Sequence, residues 1–119
     1  MKMSAIIGYA KDNLDKTTIG FTLANTALDG GHAVRLILAS EGVRLGVKGY
    51  ADDMDNGAPF KPVKDLMAAF LQKGGEINVC LPCMKKRGIE EKDIMPGIKF
   101  IAGADVIAIL DSTEKTLQL

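Results

Sequence analysis

Two spacings of apolar residues alternate along this chain. Short runs with little internal alternation read as buried strands. They are Ala5-Ile6-Ile7 within residues 4–9, Ala33-Val34-Arg35-Leu36-Ile37-Leu38-Ala39, and Ile77-Asn78-Val79-Cys80 within residues 76–80. Between them apolar residues recur at helical spacing. Ile19, Leu23, Ala24, Ala27 and Leu28 mark a helix over residues 15–28, with Asp12, Asn13 and Asp15 as capping side chains before it. Val63, Leu66, Met67, Phe70 and Leu71 form the stripe of a second helix opened by Pro62. Gly30-Gly31 and Gly74-Gly75 close these helices, since glycine accepts the left-handed conformation of a helix stop.

Residues 42–57 carry no period. Glycines at 42, 46, 49 and 57 break any long element, although residues 41–47 suit a short helical turn. A second short turn is expected over residues 90–94, before Pro96-Gly97. Residues 98–102 read as a fourth strand; residues 103–112 are ambiguous, since Val106-Ile107-Ala108-Ile109-Leu110 also suits a buried strand, but a short helix fits better, with residues 116–119 as a fifth strand. Strands that alternate with helices and are apolar on both faces predict an α/β fold. The expected architecture is a three-layer sandwich, a five-stranded, mainly parallel sheet with helices on both faces. No repeat, low-complexity tract or linker interrupts the chain, so a single domain is expected over residues 1–119.

Composition adds bounds rather than identity. At 119 residues and 47% hydrophobic, the chain is long and apolar enough for a real core without disulfide staples. Trp is absent and aromatics are few, so that core is aliphatic, with Met67, Met84 and Met95 as core or interface filler. Fifteen basic residues balance fifteen acidic ones. No basic field is built for nucleic acid, and the lack of net repulsion is compatible with self-association. The opening apolar run is too short for a secretory core or a membrane span, so a cytoplasmic protein without a membrane span is expected.

In a cytoplasmic setting the two cysteines gain weight, because thiols there stay mostly reduced. Both lie in one stretch, Val79-Cys80-Leu81-Pro82-Cys83-Met84-Lys85-Lys86-Arg87-Gly88-Ile89. Cys80 ends a strand, and sites in open parallel sheets gather at the carboxyl ends of strands. A helix opened by Pro82 puts Cys80 near its N-cap, where free N–H groups and positive partial charge favour thiolate. Lys85, Lys86 and Arg87 add positive charge, so a lowered thiol pKa is expected for Cys80. The same three residues also suit docking of an acidic partner, or simply a solvated helix face.

The spacing alone leaves several uses open: a redox disulfide, half of a zinc site, or two small apolar residues packed inside. Zinc fares worst. A structural site takes four ligands, and beyond the cysteines the chain has one histidine, His32, after a glycine turn. A thioredoxin-like arrangement is also strained, because two strand–helix units precede the pair instead of one early strand. The Gly8-Tyr9-Ala10-Lys11-Asp12 turn lacks the glycine pattern of a dinucleotide fold and the Gly-Lys-Ser/Thr of a phosphate loop. No cofactor and no metal are expected. Tyr9, Lys11 and Asp12 should lie at the same sheet end as Cys80, where they suit either pocket lining or ordinary turn and capping roles. Asp52-Asp53-Met54-Asp55-Asn56-Gly57 fails the ligand pattern of a calcium loop and reads as a solvated loop.

The Val79-Cys80-Leu81-Pro82-Cys83 segment followed by Arg87-Gly88-Ile89 resembles the DsrE/DsrF-like family, which includes sulfur-relay subunits of the TusD type and YchN-like proteins. The opening strand, the capped helix, the Glu41-Gly42-Val43 stretch after the second strand and the apolar ending follow in the family's order. The resemblance implies a compact α/β fold of five mainly parallel strands and assembly into homo-oligomers, trimers or hexamers. It implies that Cys80 carries persulfide sulfur between donor and acceptor proteins. Cys83 has counterparts only in members with a paired cysteine, where it is a candidate to resolve the persulfide as a disulfide.

Overall fold

A computed structural model describes residues 1–119. Its strands are β1 (Lys2–Ile7), β2 (Ala33–Leu38), β3 (Glu76–Cys80), β4 (Lys99–Ile101) and β5 (Lys115–Gln118). The α-helices are α1 (Leu14–Asp29), α2 (Val63–Gln72), α3 (Leu81–Lys86) and α4 (Gly103–Ser112). The strands form one sheet in the order β4-β3-β2-β1-β5, and every pairing is parallel. Consecutive strands are therefore joined by crossovers, and all five carboxyl ends lie at one edge of the sheet. The five-stranded α/β architecture expected from the sequence is the one observed, with the sheet wholly rather than mainly parallel.

The main core lies between the sheet and α1 and α2. Phe21, Leu36, Leu38, Val63, Phe70, Ile77 and Val79 meet there, fully or almost fully buried. Burying each large side chain stabilises the fold by roughly 1.5–3 kcal/mol. The opposite face is thinner: Ile37, Ile101 and Ile109 form a small cluster under α4, with Ile6, Ala39 and Val106 beside it.

Two expectations change. The expected stripe of Ile19, Leu23, Ala24, Ala27 and Leu28 is only part of the buried face of α1: Ala24 is buried and Ala27 and Leu28 pack against the core, but Leu23 is 43% exposed, and Thr17, Thr18, Gly20, Phe21 and Asn25 complete the face. The polar residues tolerate burial because they bond to backbone carbonyls. Thr17 donates to Ala10 and Asn13, Thr18 to Leu14, and Asn25 to Phe21 and Leu66. Nor are the strands apolar on both faces. Ser4, Arg35, Glu76, Asn78 and Lys99 line the α4 side, where Glu76 accepts from Arg35, Lys99 and Asn78 at 2.7, 2.8 and 3.0 Å.

The glycine-rich stretch after β2 is ordered. Residues Ser40–Gly46 form 3-10 turns and bury Val43 and Leu45 completely. Gly42 lies directly against the end of β1, where an added Cβ would collide with the Ile7 carbonyl oxygen. Ser40 has φ +53°, a left-handed conformation uncommon outside glycine. The stretch is stitched to residues 91–95 by the Val47–Ile94 bridge and by Met95 N–H donating to the Gly46 carbonyl at 2.8 Å. The acidic segment expected as a solvated loop begins in a 3-10 turn, Tyr50–Asp53, and buries Met54.

Candidate functional site

Cys80 is the last residue of β3 and the N-cap of α3, with extended backbone at φ −73° and ψ 112°. The sequence turns sharply here because Pro82, in the first helical turn, has a fixed φ suited to starting a helix and no N–H to satisfy. An N-cap side chain normally accepts from the second or third helical amide. Proline removes the first of these and leaves the Cys83 N–H. Both cysteines are free thiols, half-buried, and both pack against the edge of the main core.

The expected acidification of Cys80 is corrected by its surroundings. Burial pushes its thiol pKa up, and hydrogen bonding to the Cys83 side chain together with Cys83 charge pushes it further. The Cys83 amide and the Arg87 charge pull the other way without cancelling this. The Cys80 side chain makes no capping hydrogen bond, so the amide acts at a distance. The basic residues deliver less charge than their sequence positions suggest. Lys85 and Lys86 are exposed and form no ion pair. Arg87 is well covered, at 14% exposure, but is already engaged. Its Nε donates to Glu41 at 3.3 Å and its Nη1 to the Cys83 carbonyl at 3.1 Å.

Glu41 is the residue that sequence reasoning missed as part of the site. It follows β2 at the same sheet edge, and one oxygen, Oε2, accepts from both Arg87 and Arg44, the latter at 2.6 Å. The Arg44 hydrogen bond, opposed by partial burial and supported by Arg87, holds its carboxyl below the usual range. The only sequence signal for this was the Glu41–Arg44 spacing; Arg87 is 46 residues away.

Tyr9, Lys11 and Asp12 form a separate polar cluster at the same edge. The Lys11 ammonium pairs with Asp53 at 3.0 Å and sits over the Tyr50 ring, and its amide donates to the Tyr50 hydroxyl. Asp12 accepts from the Ala10 amide at 2.8 Å, and Tyr9 lies under the Lys16 ammonium. Their polar contacts are therefore with the turn, with Lys16 of α1 and with residues 50–53, not with the cysteines. A groove of about 250 Å³ runs beside α3, lined by Leu81, Met84, Lys85, Ile89, Glu90 and Glu91. A larger apolar cavity of about 360 Å³ opens at the other end of the sheet, between Met3, Leu23, Ala27, Val34 and Leu117. It contains neither cysteine. No three His, Cys, Asp or Glu side chains converge as metal ligands. No helix is long and apolar enough to cross a membrane.

A family model described as "DsrE/DsrF-like family" matches residues 1–119. An uncharacterised protein of Methanopyrus kandleri is 28% identical over 106 residues, covering 88% of this chain and 83% of that protein. An uncharacterised protein of Methanocaldococcus jannaschii is 27% identical over 117 residues, covering 98% of each. Among solved structures, the YchN protein of E. coli superposes with a TM-score of 0.71 at 15% identity over the whole of both chains. A Bacteroides thetaiotaomicron protein of unknown function gives 0.70 at 20% identity, covering 99% of this chain and 94% of its own. At these identities the structural likeness speaks to the fold alone.

Proposed function

The chain belongs to the DsrE/DsrF-like family, and from that premise we propose that it handles sulfane sulfur, carried as a persulfide on Cys80. The observation that supports this most is a half-buried free cysteine where β3 meets α3, with a second free thiol beside it. In the carrier step the Cys80 thiolate attacks the outer sulfur of a donor persulfide. The donor's S–S bond breaks, a new S–S bond forms on Cys80, and the donor leaves as a thiolate. No net oxidation occurs.

A thiol held neutral does not argue against this role. The thiolate is scarce near neutral pH, but the anion of a weakly acidic thiol is the stronger nucleophile. A persulfide is more acidic than its parent thiol, so the loaded form is an anion next to Arg87. The donor and acceptor are partner proteins in a cytoplasmic, reducing setting. The working unit is a homo-oligomer, a trimer or hexamer, that presents several such sites. Lys85, exposed beside α3, suits contact with an acidic patch on a partner.

Two free thiols that act on each other's ionisation favour a second reading, a thiol–disulfide cycle. In it the Cys83 thiolate attacks the inner sulfur of the Cys80 persulfide, closing a disulfide and releasing hydrosulfide, and an external dithiol then resets the pair. Intact-mass measurement after incubation with a persulfide donor separates the readings. A carrier gains one sulfur and keeps it. A cycling pair gains it only in Cys83→Ser and otherwise loses two hydrogens. No added sulfur in either protein removes both sulfur readings.

A further inference from the structure

The carboxylate of Glu41 takes two arginines on a single oxygen, Arg44 at 2.6 Å and Arg87 at 3.3 Å. Arg87 holds the last turn of α3 as well. Its own amide bonds to the Met84 carbonyl, and its guanidinium takes the carbonyl of Cys83. One side chain thus ties the thiol-bearing helix to the turn after β2. We propose that Glu41 is a positioning residue of the thiol site, dividing its carboxylate between Arg44 and Arg87 and so setting how much of the Arg87 charge acts on the Cys80 sulfur.

The charged groups around Cys80 are few enough to name. From α3 and its end come Cys83, Arg87, the outward Lys85 and Lys86, and the exposed Glu90 and Glu91 of the groove beside α3; from the turn after β2 comes Glu41 and, through it, Arg44; β3 adds nothing charged at this end. Among these carboxylates Glu41 alone pairs with Arg87, and its pairs are half-covered rather than open to solvent. Its charge offsets one of two arginines. Removing it leaves the Arg87 charge, the one that acts on the Cys80 thiol, uncompensated, while Arg87 stays tethered to the Cys83 carbonyl. Removing Arg44 does the reverse, because Glu41 then turns wholly to Arg87. A merely structural contact would loosen the turn in both cases and shift Cys80 in one direction. A dividing contact shifts it in opposite directions.

The inference rests on Cys80 being the reactive thiol, but its test does not use sulfur transfer. Iodoacetamide alkylation of Cys80 is followed against pH in a Cys83→Ser background, so that one thiol reports. Glu41→Gln is expected to lower the midpoint and to speed alkylation at pH 7 by about three- to tenfold, a tenfold change being one pKa unit. Arg44→Gln is expected to raise the midpoint and slow the reaction. A Glu41→Gln protein that melts like its parent yet shows an unchanged or raised midpoint overturns the proposal. Should Glu41→Gln not fold, Arg44→Gln decides alone: a raised midpoint supports the division of charge, and an unmoved or lowered one refutes it. If Cys80 accepts no sulfur but the opposed shifts appear, the carrier reading fails and the role of Glu41 stands.

Discussion

The two ends of β3 treat ionisable groups in opposite ways. At its start, burial pushes the Glu76 carboxyl up, but hydrogen bonds from Lys99, Arg35 and Asn78 and the Arg35 charge outweigh it and hold the pKa at about 2. At its end, burial and Cys83 push the Cys80 thiol up, and the opposing amide and Arg87 do not win. Four positions apart, one group has its charge met by three partners and the other is left with a charge it cannot easily carry. The saturated end is structural: it joins β2, β3 and β4 across the sheet. In the proposed role, the unsaturated end is where an incoming reactant, or a more acidic persulfide, would change the balance.

The largest expected effect comes from disturbing the thiol end without touching a thiol. Gly42→Ala forces a Cβ into the Ile7 carbonyl oxygen, which is backbone and cannot swing aside. A loss of about 2–3 kcal/mol is expected in denaturant unfolding, from overpacking of a closed turn. The Glu76 network should remain, so the acid limb of stability should keep its shape. Unchanged stability would mean that the turn over the carboxyl edge is not packed as described.

Next comes Glu76→Gln, which tests the saturated end. It should cost about 1–2 kcal/mol at neutral pH, the range for hydrogen bonds to a charged group, reduced by partial solvent access. The sign follows from the depressed pKa. The native contribution is fully present above the unfolded value near 4.5 and is lost as pH falls toward about 2. Melting temperatures from pH 5 down to pH 2 should therefore fall more gently in Glu76→Gln than in the parent. Equal slopes would show that Glu76 is not the group whose charge holds β2, β3 and β4 together.

The smallest effect sharpens the other end. Cys83→Ser removes the thiol partner and the charge that oppose ionisation of Cys80. The alkylation midpoint of Cys80 should fall by less than about one pKa unit, seen as a rate increase below about tenfold at pH 7. A rise would mean that Cys83 supports the Cys80 anion instead of opposing it.

Much of this was legible in the chain. The bounds of β3 coincide with the expected strand, and Pro62 does mark the start of α2, because apolar runs and proline stops act locally. The α1 face was read only in part, at Ala24, Ala27 and Leu28, for a physical reason: Thr17, Thr18 and Asn25 look polar, yet satisfy themselves on nearby carbonyls and can be buried. The cysteine segment was found because both thiols are adjacent in sequence. Its electrostatics were not, since Lys85 and Lys86 turn to solvent and the charge of Arg87 is claimed by Glu41, a residue far away in the chain. Period and punctuation report elements; they do not report which distant carboxylate a guanidinium will meet.

The proposed role makes Cys80 the residue that carries sulfur. Peptide-resolved mass spectrometry of Cys83→Ser after incubation with a persulfide donor, with the remaining thiols capped, tests this directly. One added sulfur on the peptide containing Cys80, absent in Cys80→Ser, is the predicted result; a Cys80 peptide that stays unmodified while the donor remains active would contradict it.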